Sequence, residues 1–300
     1  MTTRQYPLVS IITPAYNQAE YLDATIQSVL AQTYPNLEYI VLDDGSSDRT
    51  PEVLKKYDGQ LRWERHENMG QARTLNKGWR MSNGELLAYL SSDDLLDPRA
   101  IERLVEEYDG QDSVIFGAYR LIDQNGATIK TKNTVFLGYA DMVHNFNCPI
   151  GPGAIFSRSL FESSGGWNTE LRQIPDYDFW IRIGARAKFI RVDEELAGFR
   201  VHTGSQTFAQ SSIQKSDESI ASMADLFEKM MATPGLSRTK AMAAAYVYSA
   251  CLHLRSGRYG TSVNRLVDSL RFGGAHALSL RNLKRVAGTL FSMFRYYRIK

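Results

Sequence analysis

The sequence predicts an α/β domain built on a mainly parallel sheet flanked by helices, followed by a C-terminal helical extension. Three observations carry that expectation. Through roughly the first 110 residues, apolar strand-like runs alternate with segments of helical period. The runs end in clusters of Asp and Ser, and beyond residue 205 the pattern is helical and increasingly basic. Strands alternating with helices through short loops imply right-handed βαβ units, and therefore parallel pairing.

Residues 8–13 (LVSIIT) read as a buried strand. Leu22, Ile26, Val29 and Leu30 then fall on one helical face. Residues 37–42 give a second strand, followed by a helix that Asp48 caps and that tolerates Pro51 in its first turn. A third strand at 61–66, a helix at 71–81 and a fourth strand at 85–90 come next. A helix after Pro98 and a strand at 113–119 complete the alternation.

From about Asp123 to His202 mixed strands and longer loops take over. There is a turn at Gln124-Asn125-Gly126, a Gly/Pro-rich run at 149–153, a helix from Asp176 to about Ala187 and a last strand at 188–201. These belong to the same domain, placed at 1–205. The basic helical region is placed at 206–300. Val247, Ala250, Cys251 and Leu254 share one face, as do Val263, Leu266, Val267 and Leu270. A helical hairpin of the tetratricopeptide kind is expected around Ser256-Gly257-Arg258, without a second copy.

Composition narrows the class. Hydrophobic residues at 43% and charged residues at 23% describe an ordinary folded chain. Cys148 and Cys251 are too few for a disulfide framework and form no C-x-x-C pair, which fits a reducing, cytoplasmic setting. The N-terminus shows no leader pattern, and no apolar stretch reaches the roughly 18 residues of a membrane span. The net charge of +2 hides an asymmetry: residues 236–300 carry twelve Lys or Arg against one acid, Asp268. The acidic remainder suits a metal ion, and the basic tail suits an anionic partner.

The strand ends hold the chemistry. Strand one ends in Thr13-Pro14-Ala15-Tyr16-Asn17, strand two in Asp43-Asp44-Gly45-Ser46-Ser47-Asp48, and strand four in Ser91-Ser92-Asp93-Asp94. Ligands of open parallel sheets sit beyond the carboxyl ends of the strands. Paired carboxylates there call for a cation, and hard oxygen ligands suit Mg²⁺ or Mn²⁺, which in turn hold a diphosphate. Isolated aspartates at such positions more often cap helices or form Asx-turns, but clustering on three neighbouring strands outweighs that. No dinucleotide Gly-x-Gly-x-x-Gly, P-loop or Gly-x-Ser-x-Gly elbow occurs. Cys148, near Gly and Pro, reads as structural.

Residues 9–17 (VSIITPAYN), 28–34 (SVLAQTY) and 41–50 (VLDDGSSDRT) resemble the start of glycosyltransferase family 2. Residues 68–78 (NMGQARTLNKG), 90–94 (LSSDD), 165–167 (GGW) and 176–182 (DYDFWIR) continue the match in order. The resemblance covers about residues 7–205 and leaves the tail outside. It implies a GT-A fold, a Rossmann-like mixed sheet, and inverting transfer from a nucleotide-diphospho-sugar, usually a UDP-sugar. By position it puts Pro14, Tyr16, Asp44 and Arg73 in the nucleoside pocket, with Tyr16 on the base ring, Asp44 accepting from the base and Asp43 alongside. Asp93 and Asp94 fall on the family's Asp-x-Asp region, for ribose and metal, and His202 on a segment that touches the metal or diphosphate. Asp176 falls on the catalytic base, with Asp178 in support, and Trp167 flanks the acceptor side. Trp180 is assigned to the core.

Two departures from the family pattern stand out: Ser91 where many members carry Asp, and Pro175 where Glu often precedes the base. They make a non-catalytic nucleotide-sugar or glycan-binding protein the alternative to an enzyme of polysaccharide or glycolipid assembly. The acceptor expected is a glycan or lipid-linked sugar. The tail 281–300, with six bases (Arg281, Lys284, Arg285, Arg295, Arg298, Lys300) and no acid, is expected to hold the protein peripherally on the inner face of an anionic membrane. Each base near such a surface contributes about 1 kcal/mol. The tail has no nucleic-acid-binding motif, and no nucleic-acid partner is expected.

Overall fold

A computed structural model of the chain describes residues 6–132, 135–202, 211–229 and 233–297, with side chains as far as residue 292. The expected boundary at 205 and the side chains of Phe294, Arg295, Tyr296, Tyr297, Arg298 and Lys300 lie outside the described residues. Two compact units are formed. One comprises Met1–Val135, Pro149–Thr169 and Arg186–His202, and the other Phe136–Cys148, Glu170–Ala185 and Thr203–Lys300.

The alternation read from the sequence is present. In chain order come β1 (Val9–Ala15), α1 (Leu22–Leu30), β2 (Leu37–Asp43), α2 (Thr50–Lys55), β3 (Arg62–Arg65), α3 (Gln71–Met81) and β4 (Leu86–Tyr89). Then follow β5 (Leu95–Leu96), α4 (Ala100–Glu106), β6 (Ser113–Ile122), β7 (Thr128–Lys132), α5 (Tyr139–His144), β8 (Ile155–Ser157) and α6 (Arg158–Ser164). The chain ends with α7 (Pro175–Ile183), β9 (Lys188–Arg200), α8 (Ile213–Lys229), α9 (Arg238–Arg255), α10 (Tyr259–Gly273), a 3-10 turn (Gly274–Leu278) and α11 (Leu280–Tyr297).

The first unit holds one sheet in the order β3-β2-β1-β4-β8-β6-β9-β5, with β7 on β6. β1 runs parallel to both β2 and β4, β2 to β3, and β6 to β9. β8 is antiparallel to β4 and β6, and β5 to β9, so the sheet is mixed yet mainly parallel. β1 and β8 are buried throughout and β4 through its first three residues, as unbroken apolar runs require. Val9, Ile11, Val41, Leu86 and Ala88 meet Leu22, Ile26 and Leu54 in the core cluster. Each such aliphatic removed from water contributes about 1.5–3 kcal/mol before ordering entropy is set against it.

Three elements escape the sequence pattern because they are short. β5 has two residues, paired with Gly198 and Ala197 of β9. β7 returns from β6 through the Gln124-Asn125-Gly126 turn, where Asp123 Oδ1 accepts from the Asn125 and Ala127 N–H groups. α5 is a single turn and a half with mixed burial. The helix expected over 176–187 stops at Ile183, where Gly184 caps it.

The second unit is helical. Val143 of α5 and Phe146 just after it, Tyr177 and Ile181 of α7, Met223 and Leu226 of α8, and Ala241, Ala244 and Ala245 of α9 share a core. The expected hairpin joins α9 and α10 through Ser256-Gly257-Arg258. Small residues let the two helices approach: Ser262 and Ser269 of α10 donate to the Ala250 and Ala243 carbonyls of α9. α11 packs with its polar side inward. Asn282 is buried, Arg281 pairs with Asp141 at 2.7 Å, and Arg285 donates to the Asn145 and Phe146 carbonyls. Two of the six bases expected to face a membrane are therefore engaged inside this unit. Among the described residues no helix is long and apolar enough to cross a membrane.

Candidate functional site

The neighbouring parallel strands β2, β1 and β4 deliver their carboxyl ends to one edge of the sheet, as Ala15 opposite Asp43 in the β1–β2 register shows. Pro14 lies past the last β1–β4 pair, Ile12 opposite Tyr89, so its missing N–H leaves the ladder intact. Tyr16 follows and is half-exposed. Asn17 takes a left-handed φ of 53°, which its short polar side chain tolerates. Its N–H donates to Ser46 Oγ at 2.9 Å and its Oδ1 accepts from the Ser47 N–H at 2.8 Å. Asp48 accepts from the N–H groups of Ala19 and Thr50, tying the two loops together, but the cap position of α2 expected for it falls to Arg49, which makes no side-chain cap bond.

Asp43 and Asp44 are both buried, with different partners. Asp43 Oδ1 accepts from the Ser46 N–H, while Oδ2 faces Arg65 Nε at 3.3 Å. Asp44 accepts from the Met69 N–H at 2.7 Å and the Gly70 N–H at 2.9 Å, and Asn68 donates to its carbonyl. Asp44 thereby holds the loop that opens α3, the helix bearing Arg73. Gly45 is obligatory in this turn: its φ is +76°, and a Cβ would stand 2.8 Å from the Asn68 nitrogen.

Beyond β4 the chain turns at Ser91–Asp94, with the Asp94 N–H bonded to the Ser91 carbonyl. Asp93 Oδ2 lies 3.0 Å from His202 Nε2, which the end of β9 brings across. Asp94 Oδ1 accepts from the Arg200 N–H at 2.8 Å. Burial, and secondly the neighbouring Asp93, hold the Asp94 carboxyl well above the usual carboxylate range. Arg200, outside the candidates chosen from the sequence, organises the cluster. Its guanidinium donates to the Asp93 carbonyl and to the carbonyls of Asp123 and Gln124, and lies 5.0 Å from the Tyr21 ring centroid. The Tyr21 ring also contacts the His202 imidazole, with centroids 4.6 Å apart. Only the Arg200-Val201-His202 sequence hinted at this assembly.

Trp167 is buried in an aromatic cluster with Tyr89 and Trp79, centroids 5.0 Å and 6.2 Å away. Asn76 of α3 grips its backbone twice, donating to the Trp167 carbonyl and accepting from its N–H. Arg73, three residues earlier, is on the exposed side of α3.

In the helical unit, Asp176 sits in the first turn of α7, where desolvation raises its carboxyl above the ordinary value. Asp178 is buried and fully engaged, accepting from Ser222 Oγ and Arg182 Nε, each at 2.7 Å. Trp180 is buried in the core, as assigned. Cys148 and Cys251 are both free thiols.

The cluster at the end of β4 suits a divalent cation chemically. It has two adjacent carboxylates, one of them buried, and an imidazole within reach. Among the described residues no three acidic, His or Cys side chains already converge as a preformed metal site.

The glycosyl transferase family 2 model matches residues 10–188. An uncharacterized glycosyltransferase of Rickettsia felis is 35% identical over 63% of this chain and 33% of its own length. Chondroitin synthase of Escherichia coli is 27% identical over 71% of this chain and 32% of its own. The chain spans about a third of the length of these curated relatives. Among solved structures, S. aureus TarS 1-349 in complex with UDP-GlcNAc superposes with a TM-score of 0.71, covering 97% of this chain and 91% of that one at 16% identity. A mannosyltransferase from Pyrobaculum calidifontis, in complex with GDP-Man and Mn²⁺, gives 0.60 over 99% and 83% at 20% identity. The curled, mainly parallel sheet with flanking helices is that of these GT-A neighbours. With its ordered motifs, its sheet and a family match over more than half its length, the chain belongs to glycosyl transferase family 2.

Proposed function

We propose that this glycosyltransferase moves a sugar from a nucleotide-diphospho-sugar, most simply a UDP-sugar, to a glycan or lipid-linked acceptor with inversion at the anomeric carbon. The observation that carries the reading is the meeting of Asp93 and His202 beside buried Asp94, at the strand edge where Tyr16 is exposed. TarS, bound to UDP-GlcNAc, and chondroitin synthase, a relative by sequence, support the donor class and a polysaccharide product.

Asp93, Asp94 and His202 would hold Mg²⁺ or Mn²⁺, which supplies positive charge to the departing diphosphate. Tyr16 offers its ring to the base, while Pro14 and Asp43 shape the floor beneath it. Asp44 acts chiefly by fixing the 68–70 loop and hence α3, from which Arg73 projects. Inverting transfer then needs one carboxylate to take the acceptor hydroxyl proton as its oxygen attacks and the anomeric bond to phosphate breaks. Asp176, with its proton affinity raised by desolvation, fills that role. Asp178 positions α7 through Ser222 and Arg182, and Trp167 acts as a packed wall. The domain limits expected from sequence, 1–205 for transfer and 206–300 for the helical region, remain our working division. Incubation with a panel of nucleotide-sugars and Mn²⁺ tests the proposal. Release of nucleoside diphosphate from one donor class supports it, and no release from any donor, with or without added glycan acceptors, opposes it.

A further inference from the structure

α11 is amphipathic in the reverse sense for a helix on a folded surface. Its inward side is polar: Asn282 is 1% exposed, Arg281 is paired with Asp141, and half-buried Arg285 sets its guanidinium 5.8 Å from the Tyr248 ring centroid. Its outward side is apolar, with Leu280 at 68%, Leu283 at 50%, Leu290 at 40% and Phe291 at 67% exposure. Successive residues advance about 100° around a helix, so these four lie within one outward arc, and exposed Lys284 falls on the same arc. Large apolar ridges left in water mark a surface that something covers.

The charge around the ridge identifies the occupant. After Asp268 the sequence contains no acid, and Lys284 on the arc is joined in sequence by Arg295, Arg298 and Lys300. An apolar ridge that carries Lys284, in a segment whose sequence is basic and free of acids, matches the boundary between acyl chains and anionic headgroups. A second copy would bring like charges of this segment together.

We propose that the outward face of α11, Leu280–Leu283–Lys284–Leu290–Phe291, is a docking surface for an anionic lipid bilayer, on which the helix lies in the plane of the interface. Arg281 and Arg285 anchor the helix to its own unit, so the lipid contact belongs to the apolar ridge and Lys284. This claim stands apart from sugar transfer and is read without it.

The full chain is sedimented with vesicles of phosphatidylcholine alone and of phosphatidylcholine with 30% phosphatidylglycerol. Binding is expected only to the anionic vesicles, weakened at least fivefold by 0.5 M NaCl, and at least tenfold by the pair Leu283→Ser and Phe291→Ser. Ile129→Ser, an equally exposed apolar position on β7, should leave binding unchanged. Phe291→Trp adds a reading on the folded chain: its emission should shift to the blue with anionic vesicles and be quenched by brominated acyl chains. The proposal is overturned if the chain ignores anionic vesicles at low salt, or if Trp at 291 keeps a water-exposed spectrum. It is equally overturned if light scattering shows a dimer that the Leu283→Ser, Phe291→Ser pair dissociates, since a second copy would then cover the ridge.

Discussion

His202 Nε2 stands 3.0 Å from Asp93 Oδ2, although 109 residues separate them in sequence. The contact exists because β9, paired with β5 and β6, carries the end of its strand back to the loop that follows β4. Arg200 secures the arrangement from beneath, with its N–H on Asp94 and its guanidinium on the Asp93 carbonyl. A cation placed here would answer the repulsion between the two carboxylates.

Removal of either carboxylate should therefore separate donor binding from metal. Asp93→Ala and Asp94→Ala are expected to weaken metal-dependent donor binding, at least one of them by more than tenfold, because the diphosphate loses its compensated partner. Titration calorimetry with and without EDTA reads this directly. Affinity unchanged in both variants and insensitive to chelator would remove the metal from the account.

Asp176→Asn keeps the shape of α7 but cannot accept a proton. Turnover should fall by about 10²–10⁴-fold, the usual contribution of a general base, while donor affinity stays within about twofold. A near-wild-type rate at saturating acceptor would show that another group takes the proton.

Asp44→Ala leaves the Met69 and Gly70 N–H groups without their buried acceptors. Each bond to a charged group contributes about 1.5–3 kcal/mol, so with two lost a destabilisation on the order of 3–6 kcal/mol is expected. Urea denaturation measures it. A loss of donor affinity without any loss of stability would instead make Asp44 a direct ligand of the base.

Acid stability should depend on Asp217. Against the upward push of burial, bonds from Arg265, Ser249 and His253 hold its carboxyl down at about 2. An unfolded aspartate titrates near 3.9, so the folded state binds this proton less readily. The resulting stability, on the order of 2 kcal/mol, is present above about pH 4 and is lost as pH falls from 4 through 2. Arg265→Met should flatten that acid limb in urea melts collected from pH 5 to pH 2. An unchanged slope would mean the network contributes nothing there.

Periodicity revealed most of the fold. The strands β1, β2 and β4 advertise themselves as apolar runs, and the Asp-rich ends of β2 and β4 mark the candidate functional edge in the sequence itself. What escaped were features set by long-range geometry. β5 is too short to show a period, and it exists because β9 offers it an edge. Arg200 looks like any strand-end arginine until the sheet lays it under Asp93. Asp44 and Asp178, chosen for their carboxylates, also hold partners distant in sequence, Met69 with Gly70 and Ser222, which no local pattern announces. α11 shows the opposite failure: its apolar stripe is plain in the sequence, but only packing reveals that the stripe faces outward.

The central claim, that Asp93, Asp94 and His202 form a metal-dependent nucleotide-sugar site, is tested most directly by thermal unfolding of the intact chain. A panel of UDP- and GDP-sugars is titrated with Mn²⁺ or Mg²⁺, and again with EDTA. A ligand that binds only the folded state raises its apparent stability in proportion to saturation, by about 2.7 kcal/mol at a hundredfold excess over Kd. One donor class should raise the midpoint with metal, the increase vanishing with chelator and in Asp93→Ala. A midpoint unmoved by every donor, or raised equally in the presence of EDTA, would contradict the assignment.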